Sequence, residues 1–158
     1  MAIYMKFGSI NGAVTTKGFE KWIELHSFQF GVGRAVGTAA RGLTTRESSE
    51  PSISEVVVTK TMDTSSNKLF QDAVGGDFTS KVTIKFTTTT KDGVTTFLAY
   101  DLTDVGLSGY SASSGGDAPS ESLSLNFTKI QISYTGMDSK VSGSQDVVGY
   151  DLTQMAKS

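Results

Sequence analysis

Two stretches of this chain switch the parity of their apolar residues partway along, and nothing else limits the available folds as much. Val94–Leu107 places Leu98, Tyr100 and Leu102 on one parity, then Val105 and Leu107 on the other. Ser122–Tyr134 does the same, from Leu123, Leu125 and Phe127 to Ile130, Ile132 and Tyr134. A strand side chain returns to its face every second residue, so a parity switch requires a bulge or a corner. Two long strands that each turn a corner predict a sheet folded over itself, a barrel or a tight sandwich.

The remaining pattern agrees. Ile3, Met5 and Phe7 alternate against Tyr4 and Lys6, as in a first strand. In Glu20–Phe30, Ile23 and Leu25 share one parity and Phe28 and Phe30 the other, so this strand bends or changes partner. Gly31–Ser54 reads as a long loop, and Ser54–Lys60 as a short buried strand. Asp63-Thr64-Ser65-Ser66 offers helix caps before Asn67–Val74, with Gly75-Gly76 as the stop. Leu69, Phe70, Ala73 and Val74 then form one apolar stripe, taken as the helix core. Lys81–Thr90 alternates cleanly, Lys91-Asp92-Gly93 is a hairpin turn, and Val147–Leu152 reads as the last strand. With 20 threonines, 17 glycines and only 2 prolines, composition leans the same way. The expectation is a mainly all-β chain, a small two-sheet β-barrel or sandwich of about eight strands with one short α-helix. Residues 1–158 are expected to form a single domain with a long loop at about 31–54.

Chemistry is scarce. The chain has no cysteine and one histidine, His26, so thiol chemistry and thiolate metal sites are excluded. A lone strand histidine without a visible base partner or second ligand reads as a packing or interface residue. Gly31-Val32-Gly33-Arg34-Ala35-Val36-Gly37 has the wrong spacing for a dinucleotide loop and no helix pattern after it. Asp101 and Asp104, three apart on a strand, face opposite sides unless a bulge intervenes. No catalytic, cofactor-binding or metal-ligating residue is therefore expected, and the chain reads as a non-enzyme without cofactors. A net charge of −2 gives no electrostatic case for nucleic acid. No apolar run reaches the roughly 20 residues of a membrane helix, and the N-terminus lacks a secretory signal. Synthesis and folding in the cytoplasm are expected, with any export independent of a signal peptide.

One segment is distinctive. Arg46–Lys60, RESSEPSISEVVVTK, packs Arg46, Glu47, Glu50, Glu55 and Lys60 around Pro51 and runs into a valine strand. With Met62-Asp63, Ser65-Ser66 and Leu69-Phe70, with Gly115-Gly116-Asp117 before Ser120–Ile130, and with Gly149-Tyr150-Asp151-Leu152, it resembles the Hcp family. That is the tube-forming protein of bacterial type VI secretion systems. The resemblance implies a structural subunit that forms homohexameric rings, stacks them into the inner tube, and carries effector proteins in the lumen. It further implies a VgrG-type spike and a contractile sheath as partners, no nucleic acid or membrane insertion, and secretion through the type VI apparatus. Arg46, Glu47, Glu50 and Glu55 become candidates for ring stacking, and Ser111, Ser113 and Ser114 for the lumen. The alternatives are a monomeric β-sandwich binding module, for example for glycans, and a small hydrolase. Few, scattered aromatics weigh against the first, and the lack of thiol, metal set and second histidine against the other.

Overall fold

The structure, a computed structural model, describes residues 1–38, 46–48, 50–136 and 145–157. In chain order it runs β1 (Ala2–Phe7), β2 (Ile23–Leu25), β3 (Ser27–Gln29), β4 (Val32–Gly33), β5 (Val36–Thr38), β6 (Arg46–Ser48) and β7 (Ser52–Ile53). Then come β8 (Val56–Thr61), α1 (Ser66–Gly75), β9 (Ser80–Thr90), β10 (Gly93–Ser113), β11 (Ser120–Asn126), β12 (Lys129–Tyr134), β13 (Asp146–Asp151) and β14 (Ala156–Lys157). All pairings are antiparallel. One sheet, A, has the order β2-β1-β9-β10-β12-β13-β14, and a second, B, the order β3-β8-β11-β10.

The 21-residue strand β10 belongs to both sheets and makes the corner that its sequence parity demands. It pairs with β12 up to Thr103 and with β9 up to Val105; from Gly106 it pairs with β11. The register shifts between Leu102 and Val105, and Asp104 there takes a left-handed φ of 53°. The chain crosses between sheets twice more. His26 separates β2, paired with β1, from β3, paired with β8. Phe127-Thr128 separates β11 in sheet B from β12 in sheet A, so Ser122–Tyr134 is two strands rather than one bent strand.

The two sheets enclose one apolar cluster. Met5, Ile23, Ile84 and Leu102 contribute from sheet A and Val56, Val58, Leu123 and Leu125 from sheet B, all without solvent exposure. Each such side chain contributes about 1.5–3 kcal/mol on burial. At the corner Gly106 is required by close approach: a Cβ there would lie 2.4 Å from the Phe78 ring.

The mainly all-β two-sheet architecture with one short helix matches the sequence expectation, although hydrogen bonding does not close the barrel. Three details differ. The count reaches fourteen strands among the described residues, because the crossings split long strands and short ones were invisible. The segment read as a loop at 31–54 is a paired arm, with β4 against β7 and β5 against β6. Its Gly, Ser and Thr content hid strands of two or three residues. And β13 is not last: the chain turns back so that Tyr150 pairs with Lys157.

Candidate assembly surfaces

Sheet B ends in two open edges. Among the described residues β3 pairs only with β8, and beyond Gly106 β10 pairs only with β11. Helix α1 covers the start of the second edge, where the Leu107 amide donates to Asp72 Oδ2 at 3.0 Å. Unpaired strand edges template pairing with another chain unless they are blunted, and neither edge carries a lysine or proline over Ser27–Gln29 or Gly106–Ser113.

Between these edges the outward face of sheet B carries an uncommon set of side chains. Register aligns Ser111, Ser122, Thr59 and Ser27 in one cross-strand row. Ser113, Ser120 and Thr61 form the next row, and Gly109, Ser124, Val57 and Gln29 the row on the other side. Eight of these eleven residues carry hydroxyls and none is charged. Some bond to each other, as Ser27 Oγ and Thr59 Oγ1 do at 2.5 Å. A carboxylate borders the grid at one end: Glu55 accepts from Ser108 Oγ at 2.5 Å and Asn126 Nδ2 at 3.4 Å. At the other end His26 Nε2 meets Thr61 Oγ1 at 2.5 Å. Of the lumen candidates, Ser111 and Ser113 lie in the grid. Ser114 lies in the turn beyond, accepting from the Gly116 amide and donating to the Asp117 carbonyl. Strand β10 thus continues through Ser113.

The same strands turn their charges inward. Lys60 and Glu121 are fully buried and paired at 2.5 Å. Lys60 Nζ also reaches Asp63 Oδ1 at 3.1 Å and Ser66 Oγ at 3.3 Å. Ser66 donates to Glu121 Oε1 at 2.6 Å, and Tyr110 to Glu121 Oε2. Burial pushes the Glu121 carboxyl up, but Lys60, Ser66 and Tyr110 outweigh it and hold the group below the usual carboxylate range. Asp63 follows the same logic, with Ser65 and Lys60 overcoming burial. Burial and the Glu121 carboxylate push the Tyr110 hydroxyl up to about 12. The network ties β8, β11, β10 and the first turn of α1 together, and no buried side-chain polar atom among the described residues lacks a partner. Sequence reading missed it. The signal was present, because Lys60 shares parity with Val56 and Val58, and Glu121 with Leu123 and Leu125.

The helix stripe divides on the structure. Leu69 is buried and Ala73 half-buried, whereas Phe70 is 51% and Val74 69% exposed. Treating all four as core was wrong for Phe70 and Val74, because α1 rests on sheet B with one narrow face. Phe70 instead meets Tyr110 edge-on, with ring centroids 5.7 Å apart. Leu69→Asp is therefore expected to unfold the chain by burying an unpaired charge. Phe70→Asp should shift the melting temperature by only a few degrees, and parallel thermal melts of the two variants separate the cases.

The charged arm residues are positioned only in part. Gly37 faces Glu47 and Thr38 faces Arg46 in the β5–β6 ladder; the side chains of Arg46 and Glu47 lie outside the described residues. Glu50 is exposed beside the arm's base. There Phe30, Val32, Pro51 and Ile53 form an apolar groove of about 390 Å³ with Ile132, Val148 and Tyr150. His26 is exposed at the sheet crossing, and among the described residues its ring bonds to the Thr61 hydroxyl. Asp101 accepts from Thr83 on β9 and Asp104 from Thr128 at the sheet crossing, so the two carboxylates have separate partners. Among the described residues no three His, Asp or Glu side chains are grouped to hold a metal ion.

Comparison with known proteins gives a consistent result. The family model described as "Type VI secretion system effector, Hcp" matches residues 4–134. A solved structure described as a type six secretion system protein is 28% identical, each chain covering 99% of the other, with a TM-score of 0.87. Hcp1 from Salmonella typhimurium shares the fold over 100% of both chains at 20% identity and a TM-score of 0.77. A type VI secretion system effector from Yersinia pestis, 19% identical, covers 94% of this chain and is itself covered over 98%, with a TM-score of 0.73. Among curated proteins no sequence matches.

Proposed function

The chain belongs to the Hcp family of type VI secretion proteins, and on that premise we propose that it is the ring subunit from which the secretion tube is built. The observation that carries this reading is the pair of open edges on sheet B. The β3 edge and the β10 edge lie at opposite ends of one sheet and differ from each other. Pairing one with the other is a heterologous contact, which generates a ring when the rotation closes. Six copies, the number the family resemblance implies, would join four strands each into a continuous wall. At the usual strand spacing its circumference is about 115 Å and its bore about 37 Å between backbones. Sheet A and the helix sit behind sheet B and need the larger radius, so the hydroxyl face is concave.

Stacking of rings into a tube then falls to the arm, which carries Arg46 and Glu47 on β6 with Glu50 beside its base. A VgrG-type spike, a contractile sheath and effectors in the lumen are the partners this role requires. The chain acts without catalysis or cofactor, folds as a single domain in the cytoplasm and leaves through the apparatus. Exposed ion pairs are worth only about 0–1 kcal/mol each, but a stacking contact repeats at every ring. Arg46→Glu is therefore expected to leave rings intact while giving fewer or shorter tubes and less export, with partial rescue by charge reversal at Glu47 or Glu50. Negative-stain microscopy reads both ring and tube. Tubes like the parent's, or loss of the ring itself, would show that the arm does not do this.

A further inference from the structure

The open edges of sheet B are short for the contact they have to make. Strand β3 offers three residues, Ser27–Gln29, a span of about 10 Å. A stable contact between two chains buries about 800 Å² on each partner, which a ribbon that narrow does not supply. Apolar surface beside the edges has to supply the rest, and both edges have it. On the β10 side, α1 turns Phe70 and Val74 away from its own core, each more than half exposed. On the β3 side, a cleft of about 390 Å³ opens where the chain crosses from sheet A to sheet B. Ile3, Leu25, Phe86 and Phe97 form its apolar wall, and the exposed Glu24 and His26 complete it.

We propose that Phe70 of one copy, with Val74 one turn further along α1, docks in the cleft of the next copy and is the apolar anchor of the joint between them. The inference rests on the ring reading above, since the joint is the one that closes the ring. Register supports it. Tyr110, Leu123, Val58 and Phe28 form one inward row across sheet B. Phe70 packs on the Tyr110 end of that row, with ring centroids 5.7 Å apart, and Phe86 of the cleft wall on the Phe28 end, at 5.2 Å. A ring is closed by rotation without rise, so strands set along its axis bring the Tyr110 end of one copy against the Phe28 end of the next. Phe70 then meets the neighbour's cleft at Phe86. Binding energy between proteins concentrates in a few aromatic anchors seated in pockets, and Phe70 has both the exposure and the facing pocket. The strand edges set the register of the joint, and the anchor behind them supplies its affinity. Because knob and cleft lie at opposite edges, two copies alone always leave one of each open, which favours closure over a pair.

Phe70→Ser removes the anchor without opening the core. Light scattering on serial dilution should show the variant dissociating at a concentration about tenfold or more above the parent's, while its circular dichroism stays that of the folded chain. Lys68→Ser, exposed elsewhere on α1, should dissociate with the parent. A parent that forms no ring sinks the ring reading, and the anchor with it. A parent ring whose Phe70→Ser variant dissociates at the same concentration overturns the anchor alone. The position of the contact is read separately, in a chain that keeps Phe70. The chain has no cysteine, so Asn67→Cys with Glu24→Cys places one thiol a turn from Phe70 and one in the cleft. In intact rings a short bis-maleimide should join neighbouring copies into a ladder up to the full ring, whereas either substitution alone should give nothing above a pair. Intact rings without that ladder would place α1 away from the neighbour's cleft and refute the inference.

Discussion

Glu121→Ala is expected to cost about 3–5 kcal/mol of folding stability, the penalty for leaving a buried charge without its partner. Lys60 is fully buried and would keep only Asp63 and Ser66, while Tyr110 and Ser66 would lose an acceptor. For a chain of this length that corresponds to a melting temperature lower by roughly 6–20 °C. The double change Lys60→Met with Glu121→Leu should recover most of the loss, since a buried ion pair replaced by apolar side chains is often neutral or better. Urea titrations of the parent, the single and the double variant measure it; a single variant as stable as the parent would remove the network from the account. The same groups set the pH response. Glu121 and Asp63 are held below their ordinary values when folded, so their contribution is complete above the ordinary carboxylate range. It is lost as pH falls through that range toward the folded values. Tyr110, pushed up to about 12, contributes fully below its ordinary value near 10 and loses that contribution as pH rises toward about 12.

The second large effect concerns the β10 edge. Amides of successive strand residues point to opposite edges, so of Ser111 and Ala112 one donates toward β11 and the other toward the open side. Proline at the first position removes a bond inside the chain and should destabilise the fold. Proline at the other removes a donor needed only by a neighbouring copy. Comparing Ser111→Pro with Ala112→Pro, one variant is expected to melt early, and the other to stay folded while running as a single chain. If both keep the assembly of the parent, the ring does not close through this edge.

Much of the architecture was legible because burial imposes period two wherever one face is apolar. The parity switches at Leu102/Val105, Leu25/Phe28 and Phe127/Ile130 each mark a real crossing between sheets. The arm was not legible, because β4 to β7 are two or three residues long and bury too little for periodicity to register. The split of the helix stripe was hidden for another reason. Spacing places Leu69, Phe70, Ala73 and Val74 on one side of α1, but how wide a face sheet B covers is a property of packing. The hydroxyl face and the Lys60–Glu121 pair fell between these cases. Both follow from alternation within β8 and β11, yet which parity points inward at a lysine or glutamate emerges only when register pairs them across strands. Ser111 and Ser113 drew attention as small polar residues, and only register shows that Ser111 shares a row with Ser122, Thr59 and Ser27 and Ser113 one with Ser120 and Thr61.

The measurement that bears most directly on the central claim is the mass of the purified chain in solution. One chain is 16.7 kDa. Light scattering at tens of micromolar should give about 100 kDa, the mass of six copies closed head to tail, and microscopy of the same sample should show rings with an open centre. A single species near the mass of one chain, with no rings, would contradict the claim that the open edges of sheet B pair between copies.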